Sequence, residues 1–296
     1  MTYSLVAREP ETGRLGVAVQ SHWFSVGAVV PWAAPGVGAV ATQSVAEITY
    51  GPRGVELMSA GASAQEALDR LIGQDPGAAV RQVAMIDASG AVAVHTGADC
   101  VQFAGHVTGH QLSCQANMMR SERVWPAMLE AFEAADGELA WRLLAALDAA
   151  EAAGGDTRGK QSAALLVVPP EGEPWRRQVS LRVEDHPEPL PELRRLLGVH
   201  AAYGLAGQAD ELSAQGRHDE ATRLYRRAAE LEPGNHELRF WAGLGAAQAG
   251  DLEQAATDVR AAIAAHGGWR EMLERLPASL APGAPAVLAH LSQAGG

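Results

Sequence analysis

Thr2 carries the most compact set of reactive groups in this chain. It follows the initiator methionine, and a small residue at that position permits Met1 to be removed. The mature chain would then open on one residue bearing both a hydroxyl and a free α-amine. An α-amine has an ordinary pKa of about 7.7–8.0, so near neutrality an appreciable fraction is neutral and can take the hydroxyl proton. Thr2 would thereby supply its own base, which is what a hydroxyl needs to act as a nucleophile in acyl transfer. A threonine at position 2 is ordinary taken alone; what gives it weight is its surroundings.

Other polar residues sit where a substrate could meet them. Ser21 and His22 close one apolar run, and Gln43 and Ser44 close another, so each pair stands at the mouth of an expected strand; a turn or cap is the competing role. Asn117 falls in a polar loop ahead of a helix, where it could donate to an oxyanion or cap the helix. Asp156 and Arg158 lie in the glycine-flanked stretch GGDTRG. A guanidinium there could grip a substrate carboxylate in two places while Asp156 orients it or the new amine; an Asp–Arg clamp within the loop is the equal alternative. Lys160 is a weaker electrostatic candidate. His95 reads as a packed, hydrogen-bonded histidine, and Asp185 and His186 as residues that fix a domain end. His106, His110 and Cys114 are four apart, but Gly105 and Gly109 argue against the helix that would align them, and no metal site is expected. The chain has no phosphate-binding loop, dinucleotide fingerprint, GxSxG elbow or HExxH helix. The chemistry above calls for neither a metal nor an organic cofactor.

Composition narrows the classes. The 296 residues are 47% hydrophobic and 20% charged, enough apolar material for a buried core. A net charge of −12 speaks against a nucleic-acid binder, which needs clustered cations. Lys160 is the only lysine, so a mechanism built on several lysine amines is excluded. Two cysteines make neither a disulfide framework nor a cysteine-based zinc site. No apolar run reaches the ~20 residues of a membrane span, and the first residues lack the pattern of a signal peptide. A cytoplasmic protein without a nucleic-acid or membrane role is expected.

The elements that must position these residues follow from hydrophobic period and turn chemistry. Strands are expected over Tyr3–Arg8 and Leu15–Ser21, joined as a hairpin through Pro10 and Gly13, and over the apolar runs Val26–Val30 and Val37–Gln43. Helical spacing runs from Val55 to Ile72, broken at Gly61, with Ser63 as N-cap of its second part. Strands are expected at Arg81–Asp87 and Ala91–His95, helices at Glu122–Ala134 and Glu138–Ala153, strands at Ser162–Val168 and Gln178–Val183, and a short closing helix at Leu190–Leu197. That order suits a layered sandwich with antiparallel sheets. Beyond Val199 the chain reads as wholly helical and repeats: Gly216, Ala221 and Ala228 recur 34 residues later as Gly250, Ala255 and Ala262. With Tyr225 and Pro233, this resembles two units of the tetratricopeptide repeat, the second without its aromatic and its terminal proline. A generic alanine-rich hairpin is the alternative.

The first domain also resembles a bacterial family, domain of unknown function 1028. The resemblance rests on TYSLVAREPETGRLGVAVQS at 2–21, VGAVVPWAAPGVGAVATQS at 26–44, HTG at 95–97, AGH at 104–106, CQAN at 114–117, GGDTRGKQSAALLV at 154–167 and LRVEDHPEPLPELRRLL at 181–197. It implies the fold of N-terminal-nucleophile hydrolases, with Thr2 as nucleophile, and implies no substrate. The expected fold is therefore α+β: an N-terminal-nucleophile-hydrolase-like αββα sandwich over 1–199, followed by an all-α tetratricopeptide-like domain over 200–296. The expected activity is hydrolysis of a small polar, carboxylate-bearing amide, with Thr2 and Asn117 catalytic and Ser21, Gln43, Asp156 and Arg158 binding substrate. The alternative is a non-catalytic protein that holds a small ligand and recruits a partner. A homo-oligomer is expected, with a protein partner on the helical repeats as a further expectation.

Overall fold

The computed structural model describes residues 2–293. The chain divides into two compact units, Met1–Arg195 and Leu196–Gly296. The first is rich in sheet and the second is helical, so the protein is mixed α and β.

In the first unit, strands β1 (Thr2–Arg8) and β2 (Leu15–Ser21) form a hairpin, followed by β3 (Pro31–Ala34) and β4 (Gly38–Ser44). Helices α1 (Tyr50–Ser59) and α2 (Ala64–Ile72) lead to β5 (Arg81–Asp87), β6 (Val92–Thr96), β7 (Gly105–Gly109) and β8 (Leu112–Asn117). Helices α3 (Val124–Ala134) and α4 (Leu139–Ala152) precede β9 (Ser162–Val168) and β10 (Val179–Val183). The strands make two sheets, ordered β10-β9-β2-β1-β8-β7 and β3-β4-β5-β6, with antiparallel pairing between neighbours.

Side chains alternate across a strand, and that period of two sorts the residues into layers. Val6 of β1, Leu15, Val17 and Val19 of β2, Ala39 and Ala41 of β4, and Ala84 and Ile86 of β5 form one buried cluster between the sheets. The alternate residues Val40, Val83 and Met85 pack outward with Tyr50 and Met58 of α1 and Leu68 and Leu71 of α2. Helices α3 and α4 cover the outer face of the six-stranded sheet. The layers run helix, sheet, sheet, helix.

Local sequence sets the helices. Ser63 accepts from Glu66 N while the Glu66 side chain returns to Ser63 N, a capping box, and Ala64, Ala67, Leu68 and Leu71 then recur on one buried face of α2. Helix α4 buries Leu139, Leu143, Leu144 and Leu147, each a side chain whose full burial contributes roughly 1.5–3 kcal/mol. It can approach β2 because position 16 is glycine; a Cβ there would lie 2.6 Å from Leu143 Cδ1.

Three expectations are corrected. Val26–Val30 is not a strand: Val26–Ala28 is a single 3-10 turn, and the strand begins at Pro31. Val26 and Val30 are buried in the inter-sheet cluster, so their apolarity reports packing of a turn rather than a pleated run. Pro31 opens an edge strand, where a missing N–H costs little. The stretch 105–117 is a hairpin, β7 and β8, and Asn117 ends a strand instead of lying in a loop. Ser113, Gln115 and Asn117 are fully buried, so their polarity conceals a strand whose inward face is hydrogen-bonded. The closing helix does not stop at Leu197 but continues as α5 (Pro189–Ala214), since an isolated glycine such as Gly198 costs a helix only about 1 kcal/mol.

In the second unit, the turn after α5 passes through Gly216 with a positive φ of 78°, and the turn after α7 (His236–Gln248) through Gly250 with 89°. Helices α6 (His218–Leu231) and α8 (Leu252–Ala265) follow these turns. Ala221, Tyr225 and Ala228 of α6 and Ala255, Val259 and Ala262 of α8 are buried at matching positions. Gly245 of α7 admits the Tyr225 ring, which a Cβ would meet at 2.6 Å. Helices α9 (Gly268–Arg275) and α10 (Ala284–Gln293) complete the unit. Val287 and Leu291 of α10 join the cluster built on Phe240 and Leu244. Among the described residues, no helix is long and apolar enough to cross a membrane.

Candidate active site

Six chain segments bring polar side chains to one end of the inter-sheet space. Thr2 opens β1, Ser21 closes β2, Gln43 nearly closes β4, Gln82 nearly opens β5, Asn117 closes β8 and Ser162 opens β9. Antiparallel neighbours alternate starts and finishes, so these positions share one edge of the sandwich. In-register pairs are Thr2 with Ser21, Thr2 with Asn117, Gln43 with Gln82, and Ser21 with Ser162.

Thr2 is 6% exposed, and its Oγ1 is 3.0 Å from Ser21 Oγ; either hydroxyl can donate. The Thr2 carbonyl accepts from Gln43 Nε2 and Asn117 Nδ2, each at 3.3 Å. Gln82 Oε1 accepts from the same two amides, at 2.7 Å from Gln43 and 3.0 Å from Asn117. Gln82 Nε2 donates onward to Ala116 O, Gly105 O and Thr96 Oγ1. A second arm runs from Ser113 Oγ to Gln115 Oε1 at 2.8 Å, from Gln115 Nε2 to Ser4 Oγ at 2.7 Å, and from Ser4 Oγ to Gln43 Oε1 at 2.7 Å. Buried polar groups left unpaired are costly, and a network this connected fixes its members in place. Both amide hydrogens of Asn117 are spent on Thr2 and Gln82. On the opposite face of β1, Tyr3 OH donates to Glu151 Oε2 of α4 at 2.9 Å; burial first, then the Glu151 carboxylate, pushes the phenol well above its ordinary range.

Backbone strain gathers at this edge. Ser25, Ser44 and Met118 have φ of 57°, 71° and 58°, a left-handed conformation that costs a non-glycine residue on the order of 1 kcal/mol or more. At Ser44 the kink ends β4 and turns the following residues toward a cavity of about 380 Å³. Thr2, Ser21, Gln43 and Ser44 form the polar part of its lining; the rest is apolar. That volume lies in the range of small-molecule sites.

Asp156 and Arg158 lie beside the end of β2. Asp156 Oδ1 accepts from Arg158 N at 2.9 Å, and its Oδ2 accepts from His22 N and Arg158 Nη2, each at 3.2 Å. The buried carboxylate therefore ties its own loop to the end of β2, and neither residue lines the cavity. Lys160 pairs with Glu188 at 2.5 Å, His95 Nε2 meets Ala78 O at 2.8 Å, and Gln161 donates to Asp185 at 3.1 Å. His106 Nδ1 is 2.9 Å from Thr96 Oγ1, while Cys114 is buried, with its thiol pushed up by desolvation. Among the described residues no group of three His, Cys, Asp or Glu could hold a metal ion. Met1, whose removal the sequence leads us to expect, lies outside the described residues.

The structure thus brings Thr2, Ser21, Gln43 and Asn117 together, with Asp156 and Arg158 paired beside the end of β2 and outside the cavity lining. Sequence reasoning missed Gln82, the acceptor that joins Gln43 to Asn117, and with it Ser4, Ser113 and Gln115. A signal was present: Ser4 shares the strand face of Thr2, and Gln82 that of Ala84 and Ile86, so polar residues stood at inward positions of expected strands.

A family model described as a family of unknown function, DUF1028, matches residues 2–193. Among solved structures, protein SPO2555 from Silicibacter pomeroyi, assigned to the same family, is 35% identical, with 66% of this chain and 87% of that chain covered and a TM-score of 0.61. Anbu, an ancestral beta-subunit from Yersinia bercovieri, is 14% identical, with 66% of this chain and 93% of that chain covered and a TM-score of 0.31. No curated protein matches.

Proposed function

The chain belongs to the DUF1028 family of unknown function, and from that premise we propose that its first unit is an amide hydrolase whose nucleophile is Thr2. The observation that carries the reading is the Thr2 hydroxyl, held 3.0 Å from Ser21 Oγ on the wall of a small-molecule-sized cavity.

After removal of Met1, the Thr2 α-amine takes the Oγ1 proton as Oγ1 attacks the amide carbon. The C–N bond then breaks, the departing amine receives that proton, and an ester on Thr2 remains. Water, deprotonated by the same α-amine, hydrolyses the ester and regenerates the hydroxyl. Ser21 orients the Thr2 hydroxyl and can relay its proton. Gln43 and Asn117 hold the Thr2 carbonyl and so aim the residue. Because both Asn117 N–H groups are engaged, it acts as a positioning residue, and the oxyanion falls to backbone N–H groups of the cavity wall. On this reading the first unit is an N-terminal-nucleophile-hydrolase-like αββα sandwich, supported by its layering and by Thr2 opening a central strand. The second unit is read as tetratricopeptide-like, supported by the recurrence of its turns and buried small residues.

The test is the mass of the purified chain together with amide turnover. Loss of Met1, with turnover abolished in Thr2→Ala, is expected. Active protein that keeps Met1, or a Thr2→Ala variant that retains turnover, would overturn the mechanism.

A further inference from the structure

The cavity beside Thr2 has an uneven lining. Its polar side chains are those of Thr2, Ser21, Gln43 and Ser44, while Trp23, Val26, Val29, Val30, Val45 and Ile48 make up most of the remainder. None of the described residues that line it carries a charge. The Asp156–Arg158 ion pair, on which a carboxylate grip was expected, is outside that lining. A carboxylate lodged among these six apolar side chains would lose its water with no cation beside it, a cost of several kcal/mol.

A second observation points the same way. Trp23, Val45 and Ile48 are 59%, 54% and 44% exposed although they line the cavity, and the neighbouring Phe24 is exposed as well. Large apolar side chains gathered in the open around a concave site mark a surface awaiting an apolar ligand.

We infer that the molecule presented to Thr2 is an uncharged amide bearing an aliphatic or aromatic group, which fills the cavity formed by Trp23, Val26, Val29, Val30, Val45 and Ile48. This replaces the carboxylate-bearing amide expected from Asp156 and Arg158. It rests on the hydrolase reading for the reaction, and on the cavity for the chemistry of the ligand.

Two neutral series test it: the p-nitroanilides of acetic, butyric, hexanoic and octanoic acids, and N-alkyl acetamides of matching lengths. The p-nitroanilide of succinic acid serves as the charged comparison. Calorimetric affinity is read on the Thr2→Ala full chain and kcat/KM on the native one. In the series whose apolar group faces the cavity, affinity is expected to rise about fourfold for each methylene buried. Ile48→Asp, at a largely exposed position and with its fold checked by circular dichroism, should flatten that rise, and Val45→Asp should do the same. Affinity that is flat with length, absent throughout, or higher for the succinyl compound overturns the inference. Rising affinity without turnover in the native chain removes the hydrolase reading and leaves the apolar ligand standing. Turnover that depends on Thr2 and favours the succinyl compound does the reverse.

Discussion

Thr2 Oγ1 lies 3.0 Å from Ser21 Oγ because Thr2 and Ser21 are direct partners at the open end of the β1–β2 hairpin. The same register places Asn117 opposite Thr2 on its other side. The hydroxyl is therefore positioned by backbone pairing on both flanks, and its orientation is set by one neighbouring side chain.

Removing that neighbour separates orientation from nucleophilicity. Ser21→Ala is expected to lower kcat/KM about two- to tenfold, the worth of one lost hydrogen bond. Removal of Met1 and the urea midpoint should change little. Steady-state kinetics with a mass check on the same preparation decides it; an unchanged kcat/KM would show that Ser21 does not orient Thr2.

Gln82 contacts the network without lining the cavity, so its loss should register as stability first. In Gln82→Leu, the amides of Gln43 and Asn117 lose a shared buried acceptor. Each donor left unpaired costs about 1–3 kcal/mol, giving an expected loss of roughly 2–6 kcal/mol in urea unfolding. A loss below ~1 kcal/mol would mean that the two amides find other acceptors.

Asp75 gives a pH signature through its pairing with Arg81. Its Oδ2 accepts from Arg81 Nε and Tyr50 OH, both at 2.8 Å, and its Oδ1 accepts from Gly77 N at 2.7 Å. Arg81 first, then the Gly77 N–H and Tyr50, hold the carboxyl down at about 2. A folded-state pKa below the unfolded value of about 3.9 means a contribution complete above that value and lost as pH falls toward 2. The urea midpoint should therefore drop more steeply in the native chain than in Asp75→Asn between about pH 5 and pH 2. Equal slopes would remove Asp75 from the acid response.

Much of the sandwich was legible because its strands carry strong local signals. The run at Leu15–Ser21, the turn at Gly13, the capped helix at Ser63 and the apolar run at Ser162–Val168 each announce their own structure. Two places did not. Val26–Val30 is as apolar as a strand because a turn can be buried too, and composition does not distinguish them. Gln115 and Asn117 look like loop residues because their hydrogen-bond partners, Ser4 and Gln82, lie far away in sequence. Gln82 was overlooked for the same reason: its importance lies in a register with Gln43 that no local pattern encodes. The pairing of Asp156 with Arg158 could be read as a clamp or as a substrate grip, because a glycine-flanked loop suits both; in the folded chain Arg158 N and Nη2 donate to Asp156.

The inter-sheet space is apolar along most of the strands and amide-rich at one edge, and this asymmetry bears on how the sheets find their alignment. A slip of one residue exposes the wrong face and is penalised by burial alone. A slip of two residues keeps every side chain on its proper face, so smooth packing of alanine and valine would barely oppose it. It would, however, carry Gln43 away from Gln82 and Thr2 away from Ser21. The glutamines at the edge thus work as a ruler, rejecting the near-degenerate alignments that a small-residue core would otherwise tolerate.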